Sequence, residues 1–285
     1  MRGFERRYLF KGLLALKTGL HIGGGDPNLS ASNRPIIRTA DGQPYIPGSS
    51  FKGAFRSTVE KLAATLGVAS CSLEGGTGCP GAQGVEQKVF NARRKGWDEL
   101  KLIASLENGF THDGTQIILC DTCRLFGSPY MASKILFSDL YLNDTLEGIV
   151  QTRNGVAIDR DSERIKEGLL YDYEVVSSAM TFDVQIVLED PSDRDLQLAC
   201  IGLSEFVSGL AGLGGNRSRG LGNCQLDDLC VYELDLRKET TDINERAKRL
   251  RRYLMNRKLA DKMTQVSDSA DWLNQQIDEL CLEVM

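Results

Sequence analysis

The stretch from Thr18 to Arg56 constrains this chain more than any other. A hydrophobic strand runs into Gly23-Gly24-Gly25, the chain resumes at Arg34-Pro35-Ile36-Ile37-Arg38, and the stretch closes on Tyr45-Ile46-Pro47-Gly48-Ser49-Ser50-Phe51-Lys52-Gly53-Ala54-Phe55-Arg56. Glycines let backbone approach another group closely. Ser49 or Ser50 is placed to cap the helix that follows and to leave its positive end open to an anion. That helix sets Phe55, Val59, Leu62, Ala63 and Leu66 on one face, while Lys52 and Arg56, four residues apart, share another. Glycines, a helix N-terminus and paired cations together suit a phosphate backbone. Tyr45, Phe51 and Phe55 are candidates for base stacking, although Phe55 is more simply a core residue.

The remaining pattern predicts an α+β protein. Residues 6–18 alternate as a strand, with Tyr8, Phe10, Leu14 and Leu16 facing one way. Gln116–Cys120, Lys134–Leu142, Tyr173–Val176 and Met180–Leu188 have strand composition, Asp193–Leu210 has helical spacing, and Gln225–Leu236 is a closing strand. Strand, helix, several strands, helix, strand is the order of a ferredoxin-like (RRM-like) sandwich with insertions, occupying residues 1–240. Residues 143–168 are polar and charged, and within them Arg153–Arg160 lies beside strands, where its plain reading is a solvated hairpin edge. Residues 241–285 read as an appended helical hairpin, with Glu245–Lys262 basic and Ser269–Leu282 acidic around Trp272, Leu273, Ile277 and Leu280.

The net charge of −5 speaks superficially against a nucleic-acid partner, but its distribution does not. Residues 1–60 carry nine Lys/Arg against four Asp/Glu, whereas residues 183–210 carry six acids and one arginine. Local field, more than the sum, governs phosphate binding. No apolar run is long enough to span a membrane, and no secretory signal is evident. The expectation is therefore a reduced, cytoplasmic protein.

The eight cysteines include two clustered pairs, Cys71 with Cys79 and Cys120 with Cys123, in an insertion spanning about residues 68–130. A two-residue spacing lets two thiolates converge on one ion, and a second pair completes a closed structural zinc site. Four unrelated buried thiols are the plain alternative; His112 is a possible substitute ligand, and no strand–CxxC–helix context supports a redox site. The run Gly212–Asn223 contains five glycines and the arginines Arg217 and Arg219. Helix, glycines, strand is the reverse of a dinucleotide fingerprint, so phosphate or RNA contact is the better reading. His21 at the end of the first strand is either a structural histidine or an RNA contact.

The segments TGLHIGGGD, RPIIR and YIPGSSFKGAFR, with CDTCRLFG, TRNGVAIDR and GLAGLGGNRSRGLGNC further on, resemble the RAMP superfamily, specifically the repeated backbone subunit of type III CRISPR effector complexes. The likeness covers roughly residues 6–236 in the family's order. It implies a subunit that binds CRISPR RNA, meets target RNA and assembles with other effector subunits, with the glycine-rich loop against the guide. It also implies that Arg153 and Arg160 begin a thumb-like segment between guide and target. Relatives often cleave target RNA with an aspartate before the Pro-x-Ile strand. The nearest position here is Asn33, which is no base, and Asp26 lies seven residues earlier in the same loop. Asp26 is the candidate catalytic carboxylate, able to hold Mg²⁺ or a similar ion or to orient a ribose 2′-OH; alternatively, preceding Pro27, it shapes a turn. Two rival readings are a solitary RAMP endoribonuclease that processes CRISPR RNA and a zinc-stabilised scaffold that binds only protein.

Overall fold

The computed structural model describes residues 5–24, 34–71, 110–112, 115–117, 119–128, 131–143, 149–159, 161, 165–237 and 242–284. The first elements are β1 (Arg6–Leu16), β2 (Tyr45–Ile46), α1 (Gly48–Thr65), β3 (Phe110–His112), β4 (Thr115–Ile117) and α2 (Asp121–Phe126). There follow β5 (Ile135–Phe137), β6 (Leu140–Tyr141), β7 (Val150–Ile158), β8 (Ile165–Val176), β9 (Thr181–Glu189) and α3 (Asp193–Val207). The chain closes with β10 (Cys224–Asp235), α4 (Ile243–Met255), α5 (Leu259–Lys262), β11 (Thr264–Gln265) and α6 (Ser269–Val284).

The main sheet has the order β11-β10-β1-β9-β5, with every neighbouring pair antiparallel. Taking β1, β5, β9 and β10 as the four strands of a βαββαβ unit, α1 and α3 are its two helices, and the sheet order is that of a ferredoxin-like sandwich. β1 is central because its alternating apolar residues bury both ways. Tyr8, Phe10, Leu14 and Leu16 join the core under α1 and α3, while Leu9 points to the other face beside Leu234, Leu236 and Met263. Under the helices Phe51, Phe55, Phe137 and Phe206 interlock at centroid separations of 4.9–6.2 Å. A Cβ on Gly202 of α3 would overlap the Phe55 ring, so that glycine is what allows the two helices this close. α3 starts in a capping box of Ser192 and Asp195, and the buried Asp195 carboxylate also takes the Lys134 ammonium at 2.7 Å.

The polar tract 143–168 contains most of a long hairpin, β7–β8, in keeping with the solvated hairpin edge read at 153–160; hydrophobic alternation did not mark its strands because β7 is largely exposed. The C-terminal helices do not close on each other as a hairpin. α4 lies on the Leu9 face through Tyr253, anchored by Arg246 and Arg249 on the carbonyls of Leu236 and Asp235. α6 lies on the opposite face, where Trp272 packs 5.7 Å from Tyr8 and 6.3 Å from Phe10 and Leu273 and Leu280 enter the main core. The expected basic helix also breaks between Met255 and Leu259.

Candidate nucleic-acid interface

Three separate segments meet at one end of the sandwich. Past β1 the chain pairs Leu20 with Val176 of β8 through reciprocal backbone hydrogen bonds of 2.9 and 2.8 Å. The segment 22–24 then pairs with 35–37 through Gly24 N–H to Pro35 O and Ile37 N–H to Ile22 O, at 2.9 and 3.0 Å. The glycine-rich loop folds onto this strand end: Gly215 N–H donates to His21 O and Gly222 N–H to Gly19 O, at 2.9 and 2.8 Å. Gly214 has φ +73°, and a Cβ there would overlap the His21 carbonyl oxygen, so both its conformation and its neighbour require glycine. The resulting cleft, about 570 Å³, is lined by His21, Ser49, Ser50, Gly53, Gly215 and Arg217 among others.

His21 is held by its own ring. Nδ1 lies 2.7 Å from the Glu174 carbonyl oxygen, which only accepts, so Nδ1 carries a proton, and in the neutral ring Nε2 is then the acceptor. The ring meets Tyr173 edge-on at 5.9 Å. Arg217 and Arg219 sit in a single 3₁₀ turn between the left-handed residues Asn216 and Gly220, and both are exposed. Arg217 donates to Gly212 O at 3.2 Å and Arg219 to Tyr171 Oη at 2.6 Å. A second cleft of about 680 Å³ opens here, lined by Arg34, Tyr171, Arg217 and Arg219 with Asn216 and Ser218.

The start of α1 departs from its expectation. No serine caps it; Pro47 is the N-cap, and the Gly48 N–H donates to the Asp139 carboxylate at 2.7 Å. One of the open donors of that helix end is thus already taken, while Ser49 and Ser50 face the cleft. Lys52 is half-buried, and burial, reinforced by Arg56, lowers its pKa from the ordinary lysine value. Arg56 is engaged elsewhere: it pairs with Glu60 at 2.6 Å, donates to Gly127 O at 3.3 Å and reaches Cys123 Sγ at 3.5 Å. Phe51 and Phe55 are wholly buried and offer no stacking surface, and Tyr45 stacks on Tyr141.

Cys71, Cys120 and Cys123 place their sulfurs within 4.8 Å of one another. Cys71 and Cys123 Sγ are 3.4 Å apart, well beyond a disulfide bond. Sulfurs around a tetrahedral zinc stand about 3.8 Å apart, given Zn–S near 2.3 Å, so this cluster could hold a metal ion. Arg56 brings its guanidinium to 3.5 Å from Cys123 Sγ at the edge of this cluster.

A family model described as the RAMP superfamily matches residues 13–225. The chain belongs to the RAMP superfamily. Its similar relatives include the protein named CRISPR system Cms endoribonuclease Csm3 from Methanocaldococcus jannaschii, 25% identical over 244 residues that make up 78% of this chain and 79% of the relative. The protein of the same name from Enterococcus italicus is 28% identical over 73% of this chain and 85% of the relative. Its namesake from Methanothermobacter thermautotrophicus is 43% identical over a 60-residue stretch, 20% of this chain and 24% of the relative.

In this RAMP protein the fold brings together His21, Arg217 and Arg219, three of the residues singled out from sequence. Arg153 is exposed on β7, and a Cβ on Gly19 would lie 3.4 Å from its guanidinium, so it reaches the same end of the sheet. Asp26, Asn33, Cys79 and Arg160 lie outside the described residues, as does the side chain of His112. Sequence reading missed Arg34 and Tyr171 as site residues. The signal was there in the arginine that closes the loop before Pro35 and in the Tyr171-x-Tyr173 alternation, but it has meaning only once β8 is known to pass that loop. No helix among the described residues is long and apolar enough to cross a membrane.

Proposed function

We propose that this chain is a guide-RNA-binding backbone subunit of a type III CRISPR effector that recognises, and with bound metal cleaves, target RNA. The observation that carries the reading is the closure of the glycine-rich loop onto His21, which sets Arg217 at the mouth of a cleft floored by backbone and serines and Arg219 in the second cleft, which Arg217 also lines. That arrangement offers hydrogen-bond donors and positive charge to a sugar–phosphate chain and little that distinguishes one base from another. A guide of any sequence requires such indifference. His21 Nε2, an acceptor in the neutral ring, suits a ribose 2′-OH. The β7–β8 hairpin is assigned the thumb, with Arg153 and Arg160 as its cationic contacts.

Lys52 keeps its assignment as a phosphate contact. A phosphate beside it would offset the burial that now lowers its pKa. Arg56 is assigned instead to packing and to the thiol cluster. The metal is proposed to be one structural zinc held by Cys71, Cys120 and Cys123, with Cys79 as the fourth ligand; a closed thiolate set leaves no position for catalysis. Cleavage is assigned to Asp26, whose carboxylate would hold a divalent ion such as Mg²⁺ against the target strand. The name of the relatives, endoribonuclease, favours an active subunit over a purely binding one.

The test is titration of the full chain with single-stranded RNA across salt concentrations. Affinity should fall steeply with salt, and Arg217→Ala with Arg219→Ala should weaken it and flatten the slope. Salt-independent or absent RNA binding would leave only the protein-scaffold reading.

A further inference from the structure

A glycine in ordered backbone weakens it relative to alanine, so its presence calls for a physical cause. Of the glycines whose surroundings are described, all but three have one inside the chain. Either φ is positive, or an atom of the protein lies 2.3–3.2 Å from where a Cβ would stand. Gly23, Gly53 and Gly215 have neither. None of the three has a positive φ. A Cβ on Gly23 or Gly53 would meet nothing within 4 Å, and one on Gly215 would stand at ordinary contact, 3.6 Å from His21 Cδ2.

These three glycines come from three different segments and line one cleft. Gly23 follows β1 and bridges to Ile36. Gly53 is exposed on the second turn of α1. Gly215 belongs to the glycine-rich loop and donates its N–H to His21 O at 2.9 Å. All three border the 570 Å³ cleft, together with Ser49, Ser50, Ser57 and Arg217. Gly53 is the clearest case. In a helix interior only proline is less favourable than glycine, and alanine would fit there without touching the chain.

We propose that Gly23, Gly53 and Gly215 are the walls of a slot in which the sugar–phosphate chain of the bound RNA lies against bare protein main chain, so that fit there, and not charge alone, sets the affinity. This rests on the RNA-binding reading above and deepens it. Backbone stripped of Cβ atoms on three sides, where the protein itself leaves the space open, admits a ligand from outside to close contact. Arg217 supplies a cation and the serines supply hydroxyls, while no Phe, Tyr or Trp ring is among the described lining residues. That chemistry suits the sugar–phosphate chain rather than a stacked base.

The experiment titrates the nucleic-acid-free full chain with a single-stranded RNA oligonucleotide across salt concentrations and follows thermal unfolding of each variant. Gly53→Ala puts a better helix former into α1, so the melting temperature should rise by roughly 2–4 °C. RNA affinity should move the opposite way, falling by roughly 5-fold or more, because the methyl takes space that the ligand fills. Gly53→Leu should bind more weakly still, at a melting temperature no lower than the parent's. Gly23→Ala and Gly215→Ala should weaken binding too. In every case the log–log salt slope should remain that of the parent, since no charge is removed.

A Gly53→Ala chain that melts higher and binds RNA like the parent would overturn the slot. If that variant lost affinity only together with melting temperature, the effect would be one of folding and the slot would equally fall. A reduced salt slope in the glycine variants would point to displaced cations instead and count against it. Parent binding that responds to Arg217→Ala but to none of the glycine variants would remove the slot alone. Failure of the parent chain to bind RNA with salt dependence would instead remove the reading on which it rests.

Discussion

Gly214→Ala tests the contact that builds the interface. The position has φ +73°, a region that costs a residue with a side chain about 1–2 kcal/mol. The added methyl would overlap the His21 carbonyl oxygen and crowd Leu20 Cδ1 at 3.0 Å. That oxygen belongs to a strand end pinned by Leu20–Val176 pairing, so the glycine-rich loop moves and the Gly215–His21 hydrogen bond goes with it, about 1 kcal/mol more. The total is about 2–3 kcal/mol. Gly220→Ala is the control: its φ is +83°, but a Cβ there meets nothing within 4 Å, which leaves the conformational cost of about 1–2 kcal/mol alone. The difference between the variants, about 1 kcal/mol, corresponds to roughly a 5-fold change in an equilibrium constant. It should appear in RNA affinity, because the sheet remains intact while the loop lifts from His21. Fluorescence anisotropy with single-stranded RNA, alongside thermal unfolding, reads both quantities. If Gly214→Ala and Gly220→Ala bind RNA equally and melt together, the loop does not depend on its seat against His21 and the reasoning fails.

Other outcomes follow from the packing. Arg56→Ala should lower thermal stability by several degrees and loosen the cysteine cluster, whereas Lys52→Met should leave stability unchanged or improved at neutral pH and weaken RNA binding. The sign for Lys52 follows from its lowered folded-state pKa: burial penalises the charged form below that pKa, and the penalty fades as pH rises through the window beneath the unfolded value. Elemental analysis should find one zinc per chain, lost in Cys120→Ser with Cys123→Ser; retention of zinc in that double variant would remove these cysteines as ligands. Trp272→Ala should cost about 2–3 kcal/mol, because half-buried Trp272 covers Tyr8 and Phe10; an unchanged melting temperature would show that α6 is dispensable to the core. Asp26→Asn should stop metal-dependent cleavage of target RNA while sparing its binding, and continued cutting would reduce Asp26 to a turn residue.

The sandwich was legible because β1, α1, α3 and β10 each carry an apolar face with the right period. The exposed strand β7 carries none, so periodicity did not give the extent or register of the hairpin it forms with β8, in which Gly155 stands opposite Tyr171. The C-terminal helices misled for a related reason. Both have apolar faces, and periodicity says that a face is buried but not against what; Tyr253 went to one side of the sheet and Trp272 to the other. At the interface, composition found Arg217 and Arg219, because glycines and arginines crowd one short run. Arg56 looked equivalent to Lys52 by spacing, yet one further turn of helix aims it at Glu60 and Cys123. Arg34 and Tyr171 were missed because their partnership joins positions far apart in the chain.

The central claim is that this RAMP protein carries guide RNA, and the most direct measurement is to sequence the RNA that stays with the full chain when it is purified from cells expressing a CRISPR array. The account predicts short RNAs of array sequence, depleted when Arg217 and Arg219 are both replaced by alanine. Recovery of the chain with no RNA, or with cellular RNA in proportion to its abundance, would contradict it.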